Sequence, residues 1–283
     1  MLDAIRAEAL KLRRHRATWL MVWIYPIGIT LLAAGVLLYG LATGPHAAKV
    51  PGEAARWIHD TTVLWNVPRS GPGRFLIAGF AAVAFAGEYG WNTWKLIIPA
   101  RARWQLIAAK WAVTLAFMLI AMIAASLIGL AADWLQSFQG QPIPAGVTLG
   151  AILEAHAQAA GYTLLSMAFT IAFAGMFAIL TQSILATVIL SIAIVVLEGL
   201  LPLLGVLAYA HAPALTKAAL EFLPLYPMAN LAHLASGGEG LVLPLGPGAT
   251  LSMPWGTSLA MVLGWTLAAA AVTQARFLRQ DLN

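Results

Sequence analysis

Residues 18–41 read TWLMVWIYPIGITLLAAGVLLYGL, without one charged side chain. About 20 such residues are enough to cross some 30 Å of hydrocarbon as a helix. The uncharged run extends further, since no Asp, Glu, Lys or Arg occurs between Arg16 and Lys49. That is too long for the apolar core of a secretory signal, which is about 7–15 residues, so the stretch reads as a membrane anchor. Pro26 inside it offers a kink, and Gly40 with Gly44 forms a pair of small residues that permits close helix approach. Immediately upstream, Leu2, Ile5, Ala9 and Leu12 recur at helical spacing while Arg6, Lys11, Arg13, Arg14 and Arg16 carry charge. Residues 1–17 are therefore expected to form an interfacial amphipathic helix, apolar stripe toward acyl chains and cations toward lipid phosphates.

The rest of the chain has the same character. Of 283 residues, 61% are hydrophobic and 10% charged, against roughly 25% charged in an ordinary soluble domain. Mean hydropathy is +0.82. The apolar residues come in long blocks, which predicts an all-α polytopic membrane protein with six transmembrane helices, residues 18–283 forming one domain. The spans are expected at about Thr18–Leu41, Phe75–Thr93, Trp104–Ala132, Gln158–Leu180, Ile184–Leu204 and Thr257–Ala275. The second is the least obvious: its apolar core ends at Gly87, and it reaches spanning length only by continuing through Glu88. In the third, Lys110 lies about two turns in, where its stem can snorkel toward the headgroups. A polar loop, Asp133 to about Ala157, separates the third span from the fourth. The segment 205–256 is apolar but broken by Pro213, Pro224, Pro227, Pro244, Pro247 and Pro254 and by several glycines. Its apolar pieces, such as Leu241 to Leu245, are too short to span, which suggests short re-entrant or interfacial helices.

Lys and Arg set orientation through the short flanks of the spans. Eleven of the sixteen fall in the N-terminal flank, the second-to-third connection and the tail; Lys49, Arg56, Arg69, Arg74 and Lys217 fall on the other side. Both termini are thus expected in the cytoplasm, in a multi-pass protein of the inner (cytoplasmic) cell membrane, with 205–256 outside. The net charge of +5 and pI near 9.7 fit anionic lipid headgroups. They do not indicate nucleic acid, because no basic patch is interleaved with exposed aromatics.

Catalytic chemistry has little to stand on. There is no cysteine, hence no disulfide, thiolate nucleophile or Cys-ligated metal. No G-x-x-x-x-G-K-[ST] loop is present; Gly71-Pro72-Gly73-Arg74 lacks the spacing and the lysine. Neither H-E-x-x-H nor G-x-S-x-G occurs, and His59-Asp60 is the nearest thing to a ligand pair. No metal site and no cofactor of the chain's own are expected. Two acids stand in apolar surroundings. Glu198, in Val195-Val196-Leu197-Glu198-Gly199-Leu200, either lines a translocation path or packs protonated or paired with a loop cation near the outer surface. Glu88 precedes Trp91, Trp94 and Lys95, a combination that by itself fits an interfacial anchor belt.

The stretch 87–104, GEYGWNTWKLIIPARARW, resembles a signature region of ABC-2 type transporter permeases, in which a Gly-Glu pair ends the second span before a turn, a short helix, a proline and basic residues. Lys110 matches a lysine early in the third span; Glu8–Arg14 (EALKLRR) and Phe277–Asp281 (FLRQD) resemble the family's opening and tail. Asn92 stands where glycine often precedes the threonine. The resemblance implies the membrane subunit of an ABC exporter, lacking ATPase motifs itself. It would pair with a second copy of itself or a related permease, and with separate ATP-binding cassette subunits that bind ATP and Mg. It also implies that a coupling segment, about 91–103, seats in a groove of the ATPase, with Glu88, Trp91, Thr93, Trp94, Lys95, Pro99, Arg101 and Arg103 as its residues. Two other classes remain: a non-transporting anchoring or assembly component, and a secondary transporter. The latter ordinarily carries ionisable residues in several spans and often an inverted repeat.

Overall fold

The structure is a computed structural model, and it describes residues 1–44, 52–90, 93–97, 101–235 and 239–280. The chain begins with α1 (Leu2–Arg14), a short α2 (Arg16–Met21) and α3 (Ile24–Thr43). The expected single first span is thus broken at Val22–Trp23. Pro26 does not kink it, because it lies in the first turn of α3, where its missing N–H has no intrahelical partner to lose. Gly44 ends α3 with φ 77°. Gly40 does permit a close approach, although it is the Gln139 side chain that arrives there: an added Cβ would lie 2.3 Å from Gln139 Oε1.

Next come α4 (Ala54–Thr61), a 3-10 helix (Val63–Arg69), α5 (Gly71–Gly90), α6 (Trp94–Ile97), α7 (Arg103–Ser137) and α8 (Leu149–Thr181). Both α7 and α8 run into what the polarity of 133–157 suggested was loop. Thr148 stops that loop from being longer: its hydroxyl accepts from Ala151 N–H at 3.2 Å and caps α8. Between α8 and α9 (Ile184–His211) the turn is two residues, with Gln182 in the left-handed region at φ 56° and Ser183 capping α9. The chain closes with α10 (Pro213–Phe222), α11 (Leu225–Ala235), strands β1 (Leu243–Gly246) and β2 (Ala249–Leu251), and α12 (Trp255–Leu278).

Five helices, α3, α7, α8, α9 and α12, are long and apolar enough to cross a membrane. Their outward faces carry leucines, isoleucines and valines, as lipid-facing surfaces do. At about 1.5 Å per residue the 20 residues of α5 extend about 30 Å. This helix is the centre of the bundle, packed by α7, α8 and α9, and Ile77 through Ala82 and Ala84 through Glu88 are buried along it. Small residues make that possible, because Gly79, Ala81, Ala82, Ala84 and Ala86 let neighbouring helices come close.

The end of the bundle that carries α10 and α11 departs from an all-helical expectation. Leu243, Leu245 and Leu251 are buried on one face of an antiparallel hairpin that registers Leu243 with Leu251 and Pro244 with Thr250. Gly248 turns it at φ 70°. The hairpin is fastened by Tyr226, whose hydroxyl donates to Leu241 O at 2.7 Å, and by Asn230. The Asn230 amide donates to Met253 O and Ser258 Oγ and accepts from Leu241 N–H at 2.6 Å. A short apolar run with period 2 thus pairs with itself in an antiparallel ladder.

Candidate functional site: a buried charge cluster and the segment it holds

At the basic end of the bundle, opposite the hairpin, four charged side chains from three helices meet: Glu8 and Lys11 of α1, Glu88 of α5 and Lys110 of α7. Glu88 is 1% exposed and Lys110 2%. Lys110 donates to Glu8 Oε1 at 3.2 Å, to Glu88 Oε1 at 3.0 Å and to the Ala84 carbonyl at 2.7 Å. Three ammonium protons thus have three acceptors, which is all a lysine can use. Lys11 lies 2.6 Å from Glu88 and 2.7 Å from Glu8. The cluster is neutral as a whole, two acids against two bases, which lets it stay charged away from water. Burial alone would pull the Lys11 ammonium down, but the carboxylates of Glu8 and Glu88 hold it above its ordinary value.

Lys110 therefore does not snorkel to the headgroups. It turns inward because two carboxylates are within reach, and a buried pair beats a long stretch to the interface. Along α1, Ala4, Glu8 and Leu12 are buried against the bundle, while Leu2 is 70% exposed.

Glu88 also organises the chain beyond α5. Thr93 N–H donates to the Glu88 carbonyl at 3.0 Å, and the Thr93 hydroxyl donates to Glu88 Oε2. The reason for a Glu and a Thr five residues apart is visible here, since the pair closes the turn out of the helix. Trp94 is buried, its ring 4.5 Å from that of Phe277 and 5.7 Å from that of Tyr89, with the Lys110 ammonium 5.1 Å over its face. Arg103 donates to the carbonyls of Phe277, Leu278 and Gln280 at 3.1, 3.2 and 2.6 Å, serving the last turn of α12 whose carbonyls have no helical partner. Gln280 in turn accepts from Tyr89 OH at 2.6 Å and donates to Ile179 O at 3.0 Å. Lys95 and Arg101 are exposed; among the described residues Arg101 makes an exposed pair with Asp3 at 3.1 Å. Trp91 and Pro99 lie outside the described residues.

Glu198 is far from this corner. Its carboxylate pairs with Arg74, in the first turn of α5. Arg74 is 4% exposed, donates from Nε to Thr170 Oγ1 at 3.1 Å and lies 5.7 Å over the Phe169 ring. Sequence reasoning did not single out Glu8, Arg69, Arg74 or His156. The last bonds Trp65 Nε1 at 3.0 Å and Thr61 Oγ1 at 3.2 Å, tying the 3-10 helix and α4 to α8.

No curated protein matches the chain. The sequence profile of ABC-2 family transporter proteins matches residues 4–198, more than two thirds of the length. The matched stretch holds all four members of the charge cluster and both members of the Arg74–Glu198 pair. The chain belongs to the ABC-2 family of transporter proteins.

Proposed function

We propose that this chain is the permease subunit of an ATP-driven exporter, working as a dimer with separate subunits that bind ATP and Mg, and that residues 91–103 are where hydrolysis is felt. The observation that carries the reading is how the described parts of this segment, 93–97 and 101–103, are braced. Thr93 and Trp94 are held by Glu88, Lys110 and Phe277, and Arg103 by the carbonyls at the end of α12, while Lys95 and Arg101 are left facing away from the bundle. A segment fixed on its inner side and cationic on its outer side is suited to transmit a push rather than absorb it. Glu88, Thr93, Trp94 and Arg103 brace the segment, and Lys95 and Arg101 meet acids of the ATP-binding subunit. A charge reversal at both, Lys95→Glu with Arg101→Glu, should lower co-purification of that subunit about tenfold, as loss of rim charges does, with the unfolding midpoint unchanged. Undiminished binding and transport in reconstituted vesicles would put the docking face elsewhere. Binding without any transport by the wild-type complex would favour an anchoring component.

In this reading α5 is the sixth membrane-spanning helix, and the basic end is cytoplasmic at the inner membrane, with both termini there. The segment 205–256 lies outside. Cysteines at Ala102 and, separately, at Lys217, both exposed, should label from opposite sides of sealed vesicles. Labelling from one side would refute the topology. Glu198, on α9, belongs to the translocation path, lining a small cavity with Arg74 as its counter-ion.

A further inference from the structure

Between the 3-10 helix, α5, α8, α9 and α11 lies a small cavity of about 70 Å³. Arg69, Arg74, Tyr162, Ser166, Glu198 and Met228 are among the residues that line it. Its charges do not balance. Arg74 is fully engaged with Glu198, Thr170 and the face of Phe169. Arg69 has no such company: its Nε and Nη1 are buried and have no hydrogen-bond partner among the described residues, and neither has Glu198 Oε1. Burial pulls the Arg69 guanidinium below its ordinary range, yet an arginine stays protonated in a protein. Arg69 as a whole is half-buried, but two cations against one carboxylate leave the cavity with one net positive charge, which an anion would complete.

Among the described residues none forms an ion pair with Arg69, and Glu198 is the one carboxylate that lines the cavity.

We propose that this cavity binds the singly charged oxyanion of a ligand, a carboxylate or a phosphate group, with Arg69 as its anchor and Arg74 as the second cation of the site. The volume has room for about five waters, which suits such a group alone; the body of the ligand would stay outside. Guanidinium groups match these oxygens in charge and in planar donor geometry. The inference deepens the path reading of Glu198. Its test reads binding without any ATP-binding subunit, so failure of anion binding and failure of coupling are told apart.

The test uses the full chain, purified in detergent and in nanodiscs, with thermal unfolding followed by tryptophan fluorescence. Inorganic phosphate and acetate are titrated into the detergent sample; nanodiscs of phosphatidylglycerol are compared with nanodiscs of phosphatidylcholine. The midpoint should rise with the anion in the wild type and not in Arg69→Gln. Glu198→Gln, which raises the cavity from one net positive charge to two, should bind the same anion at least about tenfold more tightly. Response to phosphate or acetate identifies a soluble ligand; response to phosphatidylglycerol alone identifies a lipid headgroup; either supports the site. Equal responses in wild type and Arg69→Gln, or none in any arm, would overturn it. So would a lower midpoint for Arg69→Gln without anion, since that is what a merely structural arginine would give.

Discussion

Glu88→Gln should lose about 3–5 kcal/mol of stability, the range for breaking a buried ion pair. The substitution is nearly isosteric, so the loss comes from charge: Lys11 and Lys110 would be left sharing Glu8, one cation in excess, with Lys110 almost wholly out of solvent. Lys110→Met should cost a similar amount with the opposite sign of imbalance. The double variant Glu88→Gln/Lys110→Met removes one charge of each sign and should unfold later than either single variant, because neighbours in one network do not add. Denaturation in detergent, followed by tryptophan fluorescence, measures all three. Strict additivity would mean that the four residues do not act as a cluster, whatever their distances.

Gly73→Ala is the second large effect. A Cβ at this position would sit 1.9 Å from Val67 O, 2.7 Å from the Val67 carbonyl carbon and 2.9 Å from Pro68 Cα. All three are backbone atoms, and the Gly73 carbonyl is itself pinned by Tyr25 OH at 3.0 Å. No rotamer change relieves the clash; the 3-10 helix has to move off the start of α5. The cost should exceed the 1–3 kcal/mol usual for overpacking, and little monodisperse protein is expected. Gly28→Ala serves as the comparison, since nothing lies within 4 Å of its added methyl and an alanine inside a helix is favourable by about 0.5–1 kcal/mol. Equal yields and unfolding midpoints for the two variants would show that the 3-10 helix does not lie against α5.

The range of each interaction decides how legible it was in the sequence. Runs such as 18–41 and 184–204 announce apolar helices because composition and length are local properties. The closed turn after Glu88 was also within reach, since Glu88 and Thr93 are five residues apart. Lys110 was misplaced for the opposite reason. Snorkelling is a rule about one side chain and its own helix, whereas its real partners lie 22 and 102 positions away. A signal was present all the same, in two opposite charges each set in an apolar run. The hairpin at 243–251 was readable in the alternation of Leu243 and Leu245 before Gly246-Pro247-Gly248, but frequent prolines disguised it as broken helix. Glu198 was recognised as an expensive acid, while its partner was left open because nothing local ties it to Arg74. Arg69 carried no local signal, since its importance lies in an imbalance that only packing reveals.

The corner where Glu8, Glu88, Lys110 and Gln280 meet also has a calendar. Synthesis delivers Glu8 and Lys11 first, Glu88 some eighty residues later and Lys110 after that; Gln280, which bonds Tyr89 across 191 positions, arrives last of these. Until α7 is threaded, the acid at the end of α5 has only Lys11 to hold. Until α12 is in place, Trp94 lacks Phe277 and Arg103 lacks the carbonyls it serves. The segment that would meet the ATP-binding subunit therefore becomes firm only once α12 is in place, so a partner that recognises its finished shape is offered chains in which α12 has already docked.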